Sequence, residues 1–345
     1  MAVGRAFRGW HWLASSRTRP MPALMSRPPH ARAAALLVAG LVGGLLAGVP
    51  SVQDTDPAAA SDHERPNVVI IYSDDQTVDQ LAVMERTQEL IADQGLTFTD
   101  SIVSYPLCCP SRASLLTGQY TQNNGVRSNS TGSNGNPLPS ATRTPSPEGR
   151  AAIEAWPAFQ ADAEQTSIAV ALQQSGYHTG LLGKYLNGYH GPAAETVPPG
   201  WSDWRASAPV RDGSVTDYWN TRLNVNGTIV DHPDTYRTDL YASEAEDMID
   251  VASGGGQPFF LLFSFTAPHG GRSPTFPPRP ADRFVGEQAP RPPSFNADNR
   301  DKPGFISRRY PPLTAAEIRQ LNSRWQAELR SLLALDEAAE RVVGR

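Results

Sequence analysis

Residues 68–75 read Val-Val-Ile-Ile-Tyr-Ser-Asp-Asp. A continuous β-branched apolar run ending in two carboxylates is how a strand buried on both faces of an α/β sheet reads. Ligands of open α/β sheets gather outside the carboxyl ends of the strands, so Asp74 and Asp75 are well placed to meet one. A hard cation such as calcium takes about six to eight oxygens, and two aspartates supply two to four of them. The plainer alternative has one aspartate capping a helix that begins near Val78 and the other solvated.

Similar apolar runs at Gly180-Leu181-Leu182 and Phe259–Phe265 predict further strands, with helices between them. Ile168, Ala171, Leu172 and Ser175 keep helical spacing, and Gly176 stands at the C-cap position. Tyr241, Ala245, Met248, Ile249 and Ala252 do the same before the glycines at 254–256. Thr314 and Glu317 make a capping box, followed by a stripe of Ile318, Leu321, Trp325, Leu329, Leu332, Ala339 and Val343. Strand alternating with amphipathic helix predicts an α/β architecture. Residues 128–150 and 270–312 read as long loops, either walls of a site or mobile segments. The sequons at Asn129 and Asn226 read as ordinary loop asparagines.

The chain has 345 residues, 39% of them hydrophobic, and a formal net charge of −5. That excludes nucleic-acid binding through a broad basic surface. Arg27 and Arg32 precede an apolar run from Ala33 to Val49, about 17 residues long, which lies between a signal h-region and a short membrane span. Ala58-Ala59-Ala60 offers a cleavage site. Residues 1–60 are therefore expected to be a signal region of a secreted or extracytoplasmic protein, with an uncleaved anchor as the alternative. Residues 61–345 are expected to form one catalytic domain.

Cys108 and Cys109 are the only cysteines, in Cys-Cys-Pro-Ser-Arg-Ala-Ser-Leu-Leu-Thr-Gly over 108–118. Adjacent cysteines build no disulfide framework, a strained vicinal bond aside, and no spacing suggests zinc. Pro110 suits the first turn of a helix carrying Ser111 to Leu116. Helix N–H groups and Arg112 would then face an anion bound at Cys108. Cys108 itself reads either as a small buried hydrophobe or as a thiolate at a helix N-terminus. Taken alone, Lys184 reads as a solvated surface lysine and His269 as a loop histidine.

The C-x-P-S-R core with its Leu115-Leu116-Thr117-Gly118 tail resembles the signature of type I sulfatases. Arg65–Asp75 resembles the opening of the sulfatase domain. Gly183-Lys184-Tyr185-Leu186-Asn187-Gly188-Tyr189 and Val197–Trp204 resemble the N-acetylglucosamine-6-sulfatase and heparan 6-O-endosulfatase branch. Ala267-Pro268-His269-Gly270 is similar to the family's A-P-H element, and the likeness runs over about residues 65–345. It implies an alkaline-phosphatase-like α/β sandwich with a central, mostly parallel sheet flanked by helices. It also implies a sulfuric ester hydrolase acting on the 6-O-sulfate of glucosamine-type glycans.

By that resemblance Asp74 and Asp75 bind Ca2+. Cys108 becomes Cα-formylglycine through a formylglycine-generating enzyme and, as its hydrate, bonds the metal and attacks sulfur. Arg112 steadies that group, Lys184 and His269 hold sulfate oxygens or assist the leaving group, and Asn187 either faces substrate or is a structural amide. Leu186 stands where many arylsulfatases have histidine. The family's Asp-Asn metal pair and a further lysine follow the terminal helix, so the C-terminal part is expected to be missing. The 345-residue chain alone is accordingly expected to turn over little sulfate ester, even after conversion of Cys108. No stable membrane span is expected. Alternative readings are a phosphate or phosphonate ester hydrolase of the same superfamily and a non-catalytic sulfated-glycan binder.

Overall fold

The computed structural model describes residues 65–129, 159–160, 163–189, 195–209, 217–271, 275–308 and 310–345. The chain divides into two units, Met1–Ser61 and Asp62–Arg345. The expected signal region and nearly all of the 128–150 loop lie outside the described residues. Among those residues, no helix is long and apolar enough to cross a membrane.

Six strands form one sheet: β1 (Val68–Asp74), β2 (His178–Gly183), β3 (Asp203–Ala208), β4 (Thr221–Val225), β5 (Thr228–His232) and β6 (Phe259–Pro268), in the order β1-β6-β2-β3-β4-β5. The first four in that order are parallel, and β3-β4-β5 are antiparallel. β6 is buried at all ten positions, as its unbroken apolar run predicts. In the β1–β6 register Val68 meets Phe260 and Tyr72 meets Ser264; an irregularity after Tyr72 sets Asp74 opposite Pro268. Both strands therefore deliver their carboxyl ends to the same edge.

The longer helices are α1 (Cys108–Thr117), α2 (Ile168–Gln174), α3 (Arg237–Gly254) and α4 (Ala315–Val343). One face of the sheet packs on α3 and α4 through Leu240, Tyr241, Ala245, Met248, Leu332 and Leu335. The other face covers Cys109, Ala113, Leu116 and Ala169 with Tyr185, Tyr189 and Trp204. The α3 stripe is buried as expected, and the Thr314–Glu317 capping box opens α4.

Three expectations need correction. α2 buries Ala169, whereas Ile168 is exposed. On α4 the stripe is fully buried only from Leu329 onward, and Val342 takes the buried place expected for Val343. No regular helix begins near Val78: Asp79–Val83 is a 3-10 turn, followed by single α and π turns over Glu85–Ala92.

Those turns are anchored from a distance. Asp336, 1% exposed on α4, accepts hydrogen bonds from Arg86 N (3.0 Å), Thr87 N (2.7 Å) and Thr87 Oγ1 (2.7 Å). Its carboxylate does for Glu85–Thr87 what a local N-cap does for an ordinary helix. Asp336→Ala is expected to lower stability by about 2–3 kcal/mol, because it orphans several donors at once. Urea denaturation reads this, and a loss below about 0.5 kcal/mol would contradict the anchoring role.

Candidate active site

Four chain segments meet at the carboxyl edge of the parallel strands: Asp74-Asp75 after β1, Lys184 after β2, His269 after β6, and Cys108 at the start of α1. Tyr72, Asp74, Asp75, Cys108, Ser111 and Arg112 line a cleft of about 250 Å³ there.

Asp74 is 4% exposed. Its carboxylate pairs with Lys184 Nζ and lies 3.4 Å from Arg112 Nη2. Burial alone would raise its pKa, but the two cations outweigh that and hold it below the ordinary aspartate value. Both cations are themselves buried. Arg112 Nη1 donates to Lys184 O at 2.8 Å and to Ser264 Oγ, and its guanidinium sits 5.1 Å from the Tyr72 ring centre. The Tyr72 and Ser111 hydroxyls are 2.8 Å apart. Arg112 Nε and Nη2 are buried without a hydrogen-bond acceptor among the described residues.

Lys184 owes its place to its neighbours. Gly183 has φ +93°, and a Cβ there would sit 2.2 Å from Ser264 O, so only glycine allows this approach of β2 to β6. Beyond it, Tyr185 and Tyr189 pack edge-on against Trp204, with ring centres 5.0 and 5.4 Å away. The lysine is thus carried on a rigid, aromatic-anchored turn.

Asp75 adopts φ 64°, a left-handed conformation uncommon for a residue other than glycine. It is half exposed and lies 3.5 Å from His269 Nε2 and 3.9 Å from Cys108 Sγ. His269 Nδ1 is 2.5 Å from Gly270 O. A carbonyl only accepts, so Nδ1 donates to it, and Nε2 is left facing Asp75. Ligand atoms of Asp74, Cys108 and His269 lie within 4.8 Å of one another, a spacing that suits a shared cation.

Burial raises the Cys108 thiol above its ordinary value; Lys184 and Arg112 oppose this, while the two aspartates reinforce it. That weighs against the thiolate reading of Cys108, since a neutral thiol is a poor nucleophile. Cys109 is fully buried, and burial pushes its thiol to about 12. Its N–H donates to Asn129 Oδ1 at 2.8 Å. Both cysteines are free, so no vicinal disulfide forms.

Asp74, Asp75, Cys108, Arg112, Lys184 and His269 are thus brought together. Asn187 stands apart from this cluster: its backbone carbonyl lies 3.9 Å from Cys109 Sγ, and its side-chain Oδ1 is buried without a hydrogen-bond partner among the described residues. The solvated reading of Lys184 and the capping reading of the paired aspartates also fail. Sequence reasoning missed Ser264, which accepts from Arg112 and donates to Lys184 O at 2.6 Å. Its signal was a lone hydroxyl inside the apolar Phe259–Phe265 run, because a polar side chain in such a strand must find a partner.

A family model described as Sulfatase matches residues 66–344. N-acetylglucosamine-6-sulfatase of Capra hircus is 33% identical over 297 residues, covering 83% of this chain and 48% of that protein. The Homo sapiens protein of the same name is 33% identical, covering 83% of this chain and 49% of its own length. An extracellular sulfatase SULF-1 homolog of Drosophila melanogaster is 33% identical over 81% of this chain and 23% of its own length. The chain thus spans about half the length of the N-acetylglucosamine-6-sulfatases it matches. A protein solved in complex with its substrate D-glucosamine-2-N,6-O-disulfate superposes with TM-score 0.55 at 18% identity, over 81% of this chain and 62% of that one. With the mixed, mostly parallel sheet, this bears out the alkaline-phosphatase-like α/β fold.

Proposed function

We propose, because this chain belongs to the sulfatase family, that its cleft hydrolyses sulfate esters, with 6-O-sulfate on glucosamine-type sugars as the substrate class. The observation that carries this reading is the convergence of Asp74, Cys108 and His269 within 4.8 Å, beside two buried cations.

The donor set fits a divalent cation. Asp74 and Asp75 offer hard carboxylate oxygens, and the two carboxylates balance Arg112 and Lys184. A dication together with a singly charged sulfate ester would then add one net positive charge to the site. A carboxylate has about four lone-pair sites, so Asp74 can serve a cation and its basic partners together. Calcium held by Asp74 and Asp75 would supply Lewis-acid polarisation of a sulfate oxygen. Conversion of Cys108 to formylglycine would replace an inert thiol by an aldehyde whose hydrate offers one hydroxyl for attack and another for sulfate release.

The remaining work falls to ordinary side chains. Lys184 and Arg112 bind sulfate oxygens as charge builds on them, from positions fixed before substrate arrives. His269 holds a proton at Nε2 and passes it to the departing sugar oxygen, while the Gly270 carbonyl keeps its ring oriented. Asn187, whose buried Oδ1 has no partner among the described residues, either faces substrate or serves as a structural amide. Export follows from the N-terminal apolar segment, and an extracellular relative is consistent with it.

Intact-peptide mass spectrometry tests the reading directly. After co-expression with a formylglycine-generating enzyme, the peptide bearing Cys108 should lose about 18 Da, with Cys109 unchanged. A peptide that retains both thiols would overturn it. Faster turnover of an aryl phosphate than of the matching aryl sulfate would redirect it to phosphate esters.

A further inference from the structure

Arg324 on α4 packs beside the loop that carries His269 without belonging to the cluster just described. Its guanidinium rests over Gly270, the residue after His269: a Cβ at Gly270 would be 3.5 Å from Nη2 and 3.6 Å from Cζ. Nε donates to Glu328 Oε1 at 2.7 Å. The other Glu328 oxygen accepts from Gln80 Nε2 at 2.9 Å, and Gln80 Oε1 accepts from Thr77 N at 2.9 Å. Gln80 is fully buried. A hydrogen-bonded relay thus ties Arg324 to the loop just beyond Asp75, while its plane lies on the loop that carries His269. Asp75 and His269 are themselves 3.5 Å apart.

Only Nε is consumed in this anchorage. Among the described residues the Nη groups have no hydrogen-bond acceptor, and the side chain is 60% exposed. An arginine held through one edge, with the opposite fork open to solvent, is arranged for bidentate contact with a planar or tetrahedral anion. The ester to be cut is already served by Lys184 and Arg112, deeper in the site.

We infer that Arg324 is a specificity-determining residue that reads a second anionic group, a sulfate or carboxylate, borne by the sugar beside the ester to be cleaved. The inference deepens the sulfated-sugar reading above and rests on it.

Equilibrium binding to the full chain with an unconverted thiol at Cys108 tests it without turnover. The probes are glucosamine 2-N,6-O-disulfate and N-acetylglucosamine 6-sulfate. The chain should prefer the disulfate about fivefold at low salt, as expected for one exposed, charge-assisted contact, and less at high salt. Arg324→Gln should erase the preference, Arg324→Lys should keep part of it, and Arg300→Gln, a charge-matched surface control, should keep all of it. A preference that survives Arg324→Gln, an equal loss for both sugars in that variant, or no preference in the parent protein would overturn the inference. Aryl sulfate turnover separates the two readings. Turnover without the preference sinks this inference alone, whereas the preference in a converted protein that lacks turnover sinks the hydrolase reading.

Discussion

Asp74→Ala is expected to destabilise the domain by about 3–5 kcal/mol, the usual cost of stripping one partner from a buried ion pair. The carboxylate stands between Lys184 and Arg112, and all three side chains are nearly inaccessible. Without it two cations share an enclosed site, and Arg112 already has two nitrogens lacking hydrogen-bond acceptors among the described residues. Asp75→Ala is the internal comparison. Its side chain is 45% exposed, so its loss should cost less than about 1 kcal/mol. In urea the Asp74→Ala midpoint should fall with little change in slope. A midpoint within about 1 kcal/mol of the parent would mean that the cations have other means of neutralisation.

The same pairing fixes a pH dependence. The folded-state pKa of Asp74 is depressed below its ordinary value. Its contribution is therefore present above the unfolded value, about 3.9, and is lost as pH falls through the lower folded value. Asp74→Asn keeps the shape and removes the titration. The stability gap between parent and Asp74→Asn should be constant near neutrality and close progressively below about pH 4. A gap that stayed constant down to about pH 2 would mean that the charge on Asp74 does not carry its contribution.

How much of this was legible depended on whether burial and chemistry agreed. β1, β2 and β6 were readable because strands covered on both faces carry unbroken apolar runs. β3 was not, since Asp203 and Arg205 interrupt it; their charges are met by each other and by Glu244 and Asp247 on α3, which no local pattern reveals. The β4–β5 hairpin did leave a sign. Asn226 and Gly227 both have positive φ, the Asn-Gly turn of a tight hairpin, yet the asparagine reads first as a loop residue. The segment after Asp75 failed as a helix because its order comes from α4, through Asp336 and Glu328, more than two hundred residues away.

The site divides in the same way. Proline in the first turn located α1 correctly, and glycine at 118 closes it in the left-handed conformation. The meeting of Cys108 with the paired aspartates rested on resemblance, because spacing in sequence carries no information about which strand ends adjoin. Residue type alone made Lys184 a surface lysine. Only the β1-β6-β2 strand order brings its ammonium onto Asp74 and so makes it part of the chemistry.

Cys108→Ala is expected to remove whatever sulfate-ester turnover the converted protein shows, by about 10⁴-fold or to the detection limit, as loss of a nucleophile does elsewhere. The reasoning runs through the state of the thiol. The N-terminus of α1 favours negative charge, but burial and the adjoining aspartates raise the Cys108 thiol above its ordinary value. A neutral thiol is a poor nucleophile, which favours the proposed conversion of Cys108 to formylglycine. Lys184, Arg112 and His269 are untouched by the substitution, and affinity for a sulfated sugar should change by less than about threefold while kcat collapses. Cys109→Ala separates position from residue type. That side chain is fully buried and packs against Ala113 and Leu116 in the core, so its truncation should cost about 1–2 kcal/mol of stability and leave kcat nearly intact. Were Cys108→Ala to retain kcat within tenfold of the parent, the nucleophile would have to lie elsewhere in the cleft, and Ser111, with its hydroxyl 2.8 Å from that of Tyr72, would be the next group to remove.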